Sequence, residues 1–256
     1  MTNSAGRGRA GWARARGASV CWDRGVDGSL VTWTCRALLL DVDGTLVDSA
    51  ESVRAAWSAV AQELGADAGT VAAAALARRA TEVAEEFFAP EDRAHALDAS
   101  LRASVGTAHL VRALPGAADL LGSLPDGAWG CVTSGRREIL TARLRGAGLP
   151  VPAVFVTAED VECGKPHPQP YLRGAELVGV DPVDAVALED TPDGVRSARA
   201  AGLRVVGVLG THAPDDLRAA GADVLVDAPG RVRVTADGDV LRLTVHGAST
   251  RSPAGR

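Results

Sequence analysis

Short apolar runs alternate with helical patterns along most of the chain. The first run, Ala37–Leu40, is followed by the turn residues Asp43 and Gly44, as expected for a buried strand of a parallel sheet. Similar runs lie at residues 130–133, 154–157, 185–188, 205–208 and 224–226, with helical patterns between them at residues 137–146, 170–178 and 194–201. This alternation predicts an α/β fold with a doubly wound parallel, Rossmann-like sheet and right-handed crossovers.

One interval carries helical patterns only. They lie at residues 52–64, 71–79, 81–88 and 91–109, directly after the loop of the first strand. Ligands of open α/β sheets bind at the carboxyl ends of the strands. We therefore predict an α-helical cap over residues 50–113 that covers the site. The catalytic core would comprise residues 35–49 and 114–246.

The two ends of the chain give weaker patterns. Residues 1–34 are rich in Gly, Ala, Arg and Ser, and we expect them to be disordered or an extension upstream of the functional protein. Residues 231–235 and 240–245 alternate apolar with polar positions and predict a β-hairpin at the margin of the sheet. We expect residues 247–256 to be a frayed tail.

Composition narrows the classes of function. The formal charge of −5 over 256 residues argues against a nucleic-acid or anionic-membrane partner, since both need a basic field. The chain has no apolar run of the length that crosses a membrane. Its four cysteines are singly scattered, which predicts neither a zinc site nor a disulfide framework and favours a reducing cytoplasm. We expect a monomer or a weak dimer.

An acidic pair stands where the first strand ends. Asp41 and Asp43 are two residues apart and precede Gly44. Two carboxylates crowded at a strand end repel each other unless a cation or a shared proton relieves them. The same residues could instead form an ordinary solvated turn, because Asp-Gly pairs are common turn formers.

Three later strand ends carry polar groups as well. The second ends in Thr133-Ser134-Gly135, a hydroxyl with free N–H groups before a helix, which is a phosphate-binding arrangement. The third leads to Lys165, the single lysine among 27 basic residues, and we expect its side chain to line an open site. The fourth ends in Glu189-Asp190, a second acidic pair that is costly without a cation.

Nucleophile, hydroxyl, lysine and acidic pair thus follow in order at four strand ends. This order resembles the haloacid dehalogenase (HAD) superfamily, in its phosphatase branch with a helical cap after the first strand. The match covers residues 36–228 and rests on Asp41-Val42-Asp43-Gly44-Thr45, Thr133, Lys165 and Glu189-Asp190. The loops at residues 165–172 and 189–194 further resemble those of the phosphatases of 2-deoxyglucose 6-phosphate, glycerol 3-phosphate and related sugar phosphates.

The resemblance implies a phosphomonoester hydrolase that works through an aspartyl-phosphate. Asp41 would be the nucleophile and Asp43 the general acid and base. Mg²⁺ would be held by the Asp41 carboxylate, the Asp43 carbonyl and Asp190. The phosphoryl oxygens would be neutralised by Thr133, Ser134 and Lys165. Further expected contributors are Thr45 and Gly135 at the phosphate, Arg79 of the cap at the substrate, and Glu189 and Asp193 as support for the metal or alternative ligands.

Other functions compete with this interpretation. A phosphosugar mutase of the same superfamily uses the same nucleophile, and the core motifs do not separate it from a phosphatase. A dehalogenase would not need Asp43 and Asp190 for a metal. A non-enzymatic interaction module would be expected to lack a catalytic residue, whereas this chain keeps them all.

Overall fold

The computed structural model describes residues 23–24, 30–76, 78–246 and 249–250. Its strands are β1 (Asp23–Arg24), β2 (Leu30–Cys35), β3 (Ala37–Leu40), β4 (Val47–Asp48), β5 (Arg112–Ala113), β6 (Trp129–Val132), β7 (Val154–Val156), β8 (Ala185–Glu189), β9 (Arg204–Val208), β10 (Val224–Val226), β11 (Val232–Asp237), β12 (Val240–His246) and β13 (Ser249–Thr250). Its α-helices are α1 (Ala50–Glu63), α2 (Ala68–Ala75), α3 (Ala80–Phe87), α4 (Arg93–Gly106), α5 (Ala117–Gly122), α6 (Arg137–Gly146), α7 (Gln169–Val178), α8 (Pro192–Ala200) and α9 (Pro214–Ala220).

The main sheet has the order β13-β10-β9-β8-β3-β6-β7. All of its pairings are parallel except that of β13 with β10. Strand β3 lies inside the sheet, between β8 and β6, and is completely buried, because parallel strands are covered by other elements on both faces. The predicted α/β fold with a parallel sheet is confirmed, and the six strands that the apolar runs indicated are all present.

Two apolar layers cover the sheet. On one face, α7, α8 and α9 pack through side chains such as Tyr171, Val195 and Leu217. On the other face lie α5, α6 and a second, four-stranded sheet with the order β1-β2-β12-β11. The hairpin of β11 and β12 therefore belongs to this packed second sheet. The sequence pattern predicts it at the margin of the main sheet, and that placement is wrong.

The N-terminal boundary differs from the sequence expectation. Leu30–Cys35 forms a strand along β12, with Trp33 opposite Leu243, so residues 30–34 are not disordered. Val31, Trp33 and Cys35 are buried and their neighbours are partly exposed, which is the alternation of a strand with one buried face. Asp23–Arg24 pairs with β2. Residues 1–22 and 25–29 lie outside the described part of the chain.

The C-terminal boundary differs in the same way. Ser249–Thr250 pairs antiparallel with Val224 and Leu225 of β10, so this part of the expected tail extends the sheet. Residues 251–256 lie outside the described residues.

Helices α1 to α4 stand apart from both sheets and have a core of their own. That core contains Trp57, Val60, Val71, Val83 and Phe88. The chain leaves and re-enters the sheet region through β4 and β5, which pair antiparallel with Val47 opposite Ala113. We call residues 50–106 the cap. In the described residues, no helix is long and apolar enough to cross a membrane.

Candidate active site

The site is built where β3, β6 and β8 end side by side. Asp41 follows β3 directly, and its backbone N–H donates to the carbonyl of Leu188 in β8 at 3.0 Å. Strands β6 and β8 flank β3 in the sheet. Thr133, which follows β6, and Glu189, the last residue of β8, therefore lie on either side of Asp41. The carboxyl ends of parallel strands meet at one edge, which explains how residues about 150 positions apart come together.

A buried ionic network occupies this edge. The ammonium of Lys165 donates to Oδ1 of Asp41 at 2.7 Å, to the carbonyl of Val132 at 2.9 Å, and to Oε1 of Glu189 in a very short contact. The Lys165 side chain is only 6% exposed and that of Glu189 is 0% exposed. The expectation that Lys165 lines an open site is therefore wrong: all three donors of its ammonium have acceptors in the protein interior.

Glu189 is saturated by its neighbours. Its Oε1 accepts from Lys165 and from the hydroxyl of Tyr171 at 2.9 Å. Its Oε2 accepts from the N–H of Asp190 at 3.2 Å and from the N–H and hydroxyl of Thr191 at 3.3 and 3.1 Å. Five donors fill the lone-pair positions of one carboxylate. Glu189 thus supports Lys165 and has little capacity left to bind a metal.

The carboxylate of Asp190 accepts fewer hydrogen bonds than that of Glu189. Its Oδ1 accepts from the hydroxyl of Thr45 at 3.2 Å, and its Oδ2 accepts from the hydroxyl of Thr211 at 2.5 Å. Each oxygen takes one donor, so each keeps a lone pair for another ligand. The same hydroxyl oxygen lies 3.0 Å from the backbone carbonyl of Asp190, and its single hydrogen is available to only one of the two acceptors at a time.

Two glycines let the backbone approach these carboxylates. Gly44 has a φ of +79°, and a Cβ there would lie 2.0 Å from Oδ2 of Asp190. At Gly194, in the first turn of α8, a Cβ would lie 1.9 Å from the Glu189 carboxylate. The N–H of Gly194 donates to Thr191 at 3.0 Å, which caps the helix. Any side chain at either position would displace a carboxylate of the site.

Burial and neighbouring charges together shift the pKa values of the ionisable groups at this edge. Burial raises the pKa of Asp41 well above its ordinary value; Lys165 opposes this shift, while Glu189 and Asp190 add to it. Burial, reinforced by Glu189, raises the pKa of Asp190 to about 7. Burial would lower the pKa of Lys165, but Asp41 and Glu189 outweigh it and raise that pKa above its ordinary value.

The donor set fits a hard divalent cation. Oxygens of Asp41, Glu189 and Asp190 lie within 4.8 Å of one another and all three residues are buried. Among the residues that the structure describes, Lys165 is the one ammonium in contact with this group. A divalent ion bound by Asp41 and Asp190 would compensate for the burial of their negative charge. Oxygen-only ligands are those that Mg²⁺ prefers.

Comparisons with known proteins agree with this geometry. Residues 35–202 match the family model of the haloacid dehalogenase-like hydrolases. The chain belongs to this family. It is 39% identical to hexitol phosphatase A of Escherichia coli over 81% of this chain and 98% of that protein. It is 32% identical to glycerol-1-phosphate phosphohydrolase 2 of Saccharomyces cerevisiae over 77% and 84%.

A solved structure gives the same result for the fold. The structure of CbbY from Rhodobacter sphaeroides in complex with phosphate superposes with a TM-score of 0.65 at 27% identity, covering 77% of this chain and 95% of that one. The expectation of a HAD-type enzyme of the phosphatase branch is thereby confirmed. The match to the family model begins at Cys35, two residues before β3, and ends at Gly202, just after α8.

The other residues selected from the HAD motifs fall into two groups. Thr133 is buried, and its hydroxyl accepts from the N–H of Gly135 at 3.2 Å; Ser134 between them is exposed. Asp43 is two residues from Asp41 in the chain and pairs with Arg143. By contrast, Asp193 is exposed on α8 and pairs with Arg196 at 2.8 Å, so the structure does not bring it to the carboxylates.

Arg79 belongs to the cap and not to the strand ends. It precedes α3 in the cap and is exposed, and its backbone N–H donates to Glu82 at 3.2 Å. Within the described residues, no hydrogen bond or ion pair joins Arg79 to the core. Its predicted role at the substrate stays a prediction.

Three residues of this HAD site were missed by sequence reasoning. Tyr171 carried a signal as the single tyrosine of the chain. Arg143 carried one as well, because it interrupts the apolar face of α6 between Leu140 and Leu144. Thr211 carried none, since it lies in a loop 21 residues after the carboxylate that it contacts.

Proposed function

We propose that the protein is a Mg²⁺-dependent phosphatase of small phosphorylated sugars or polyols that works through an aspartyl-phosphate on Asp41. The observation that carries the proposal is the buried Asp41 carboxylate, which contacts Lys165 and lies beside Asp190. A buried carboxylate next to an ammonium can face a phosphoryl group without the charge repulsion that would keep the two apart. The names of the hexitol and glycerol phosphatases support the substrate class.

The steps follow from the residues at the edge. Asp41 attacks phosphorus and the bond from phosphorus to the substrate oxygen breaks, while Asp43 gives a proton to that oxygen. Asp43 then takes a proton from water as the water oxygen attacks the phosphorus of the aspartyl-phosphate. The Asp41 carboxylate leaves, and inorganic phosphate and the starting protonation state of Asp43 are restored.

The remaining groups of the site would orient the substrate and neutralise the charge of its phosphoryl group. Thr133 and the N–H of Ser134 would face the phosphoryl oxygens, and Lys165 would supply positive charge from its contact with Asp41. The N–H of Gly135, first expected at the phosphate, donates instead to Thr133. Asp41, Asp190 and the carbonyl of Asp43 would hold Mg²⁺, which supplies charge neutralisation at the phosphoryl group. Thr45 was first assigned to the phosphate, but its hydroxyl is engaged with Asp190. We therefore assign Thr45, like Glu189, to support of the site.

A release assay tests the proposal. Inorganic phosphate would be measured from hexitol, glycerol, hexose and pentose phosphates, phosphoglycolate and nucleotides, with Mg²⁺ and after removal of divalent ions by EDTA. We expect the fastest release from a polyol or sugar phosphate, loss of release in EDTA, and recovery with added Mg²⁺. Release from nucleotides alone, or full activity in EDTA, would contradict the proposal.

The mutase alternative needs a second readout, because a mutase shares Asp41 and Asp43. Phosphorus NMR of the same sugar phosphates distinguishes the two reactions. A phosphatase yields inorganic phosphate only, whereas a mutase yields an isomeric sugar phosphate. Cytoplasmic location and a monomeric or weakly dimeric state stay predictions of the sequence.

A further inference from the structure

Helix α6 carries a charged residue on its buried face. Leu140, Arg143 and Leu144 are its buried residues, and they occupy the i, i+3 and i+4 positions that form one stripe of a helix. The Arg143 side chain is only 10% exposed. A guanidinium in such a position is costly unless a specific partner compensates for its lost hydration.

That partner is Asp43. Nη1 of Arg143 donates to Oδ2 of Asp43 at 2.5 Å. The Nε of Arg143 is buried and has no hydrogen-bond partner in the described residues. The ion pair to Asp43 is therefore the interaction that justifies the buried charge, and it joins residues 100 positions apart in the chain.

The pair also distinguishes the two oxygens of Asp43. Oδ2 is occupied by Arg143, whereas Oδ1 is buried and has no hydrogen-bond partner in the described part of the chain. The ion pair at Oδ2 and the burial of Oδ1 together keep the Asp43 carboxylate from rotating freely.

We propose that Arg143 is a positioning residue for the acid and base Asp43, holding the carboxylate through Oδ2 in one orientation. The inference rests on the proposed function. In the first step Asp43 gives its proton to the leaving alkoxide oxygen, and in the second it accepts one proton from the attacking water.

The test compares two leaving groups in one variant. Arg143→Met keeps the length of the side chain and removes the donor. We expect kcat for a hexitol 6-phosphate, or for glycerol 1-phosphate if that is faster, to fall roughly 10- to 100-fold, as for a displaced catalytic group. KM should change little. With 4-nitrophenyl phosphate, whose leaving group needs no proton, kcat should fall less than about threefold.

Matched variants separate positioning from a merely structural role. Arg145→Met, on the exposed side of the same helix, should leave both rates unchanged. Arg143→Lys restores a cation and should recover part of the alkyl rate; if Arg143→Met does not fold, this variant carries the same comparison of leaving groups. In an Asp43→Asn background, Arg143→Met should cause no further loss with the alkyl phosphate.

The possible outcomes distinguish a failure of the positioning role of Arg143 from a failure of the proposed phosphatase function. Equal losses with both leaving groups, or a full additional loss in the double variant, would overturn the role of Arg143 while the phosphatase proposal stands. A wild-type protein that releases phosphate from none of these esters would instead refute the proposed function, and the inference would fall with it.

Discussion

Charged residues are placed in opposite ways at the carboxyl edge of the main sheet and in the cap. At the edge, Asp41, Lys165, Glu189 and Asp190 are buried and joined by hydrogen bonds. In the cap, charged side chains stay at the surface, and the ion pair between Arg78 and Glu86 is about half exposed on both sides (44% and 48%).

This difference predicts that residues of the edge govern the reaction and that residues of the cap govern the choice of substrate. Buried charges are tolerated only with well-placed partners, so a small change at the edge leaves an uncompensated group and disturbs the whole network. Exposed ion pairs contribute little to stability, so residues of the cap can vary without loss of the fold. We therefore expect variants at the edge to affect all substrates alike and variants in the cap to change their ranking.

The largest expected effect is that of Asp41→Asn. An amide is a poor nucleophile, and loss of the nucleophile should lower kcat by more than about 10⁴-fold with every phosphate ester. Phosphate release is the measurement, and circular dichroism should show an unchanged fold. Asp193→Asn, at the exposed acidic residue of α8, is the control and should keep its activity. Substantial activity in Asp41→Asn would remove Asp41 from the central role.

Lys165→Arg should have the next largest effect. The ammonium of Lys165 fits three acceptors in the interior, and a planar guanidinium cannot reproduce that arrangement. We expect kcat to fall roughly 100- to 1000-fold. The larger side chain should also reduce the free energy of unfolding by about 1 to 3 kcal/mol, measured by denaturant titration. Activity within about twofold of the wild type would contradict the role of Lys165.

Thr211→Val tests how the metal ligands are held. The variant removes the hydroxyl that donates to Oδ2 of Asp190, and loss of a residue that orients a ligand costs roughly 10- to 100-fold in metal affinity. Mg²⁺ binding by isothermal titration calorimetry is the measurement. Thr235→Val, on the exposed part of β11, is the matched control. If both variants bind Mg²⁺ like the wild type, Asp190 does not depend on Thr211.

Arg79→Ala should have the smallest effect on chemistry and the clearest effect on selectivity. If Arg79 contacts the part of the substrate remote from phosphorus, kcat/KM for natural esters should change in rank while 4-nitrophenyl phosphate is spared. Arg102→Ala, at another exposed arginine of the cap, should leave the ranking unchanged. The same small change for every substrate would assign Arg79 to a solvated face.

Much of the site could be predicted from strand ends alone. Asp41, Thr133 and Glu189 each follow an apolar run, and the ends of parallel strands necessarily meet at one edge. The strand Leu30–Cys35 was also visible as alternation of Val31, Trp33 and Cys35 with polar residues. It was missed because it lies beside a long Gly- and Arg-rich segment whose composition dominated the interpretation.

Local patterns of the sequence are sufficient to predict the α/β fold, the helices after the first strand and the order of the four motifs, because these depend on periodicity and on residues next to strand ends. Packing of the folded chain establishes which carboxylate is saturated, and that Arg143 contacts Asp43 and Thr211 contacts Asp190. These contacts join Arg143 to Asp43 across 100 residues and Thr211 to Asp190 across 21. No local pattern encodes such distances, since packing alone brings the partners within hydrogen-bonding reach.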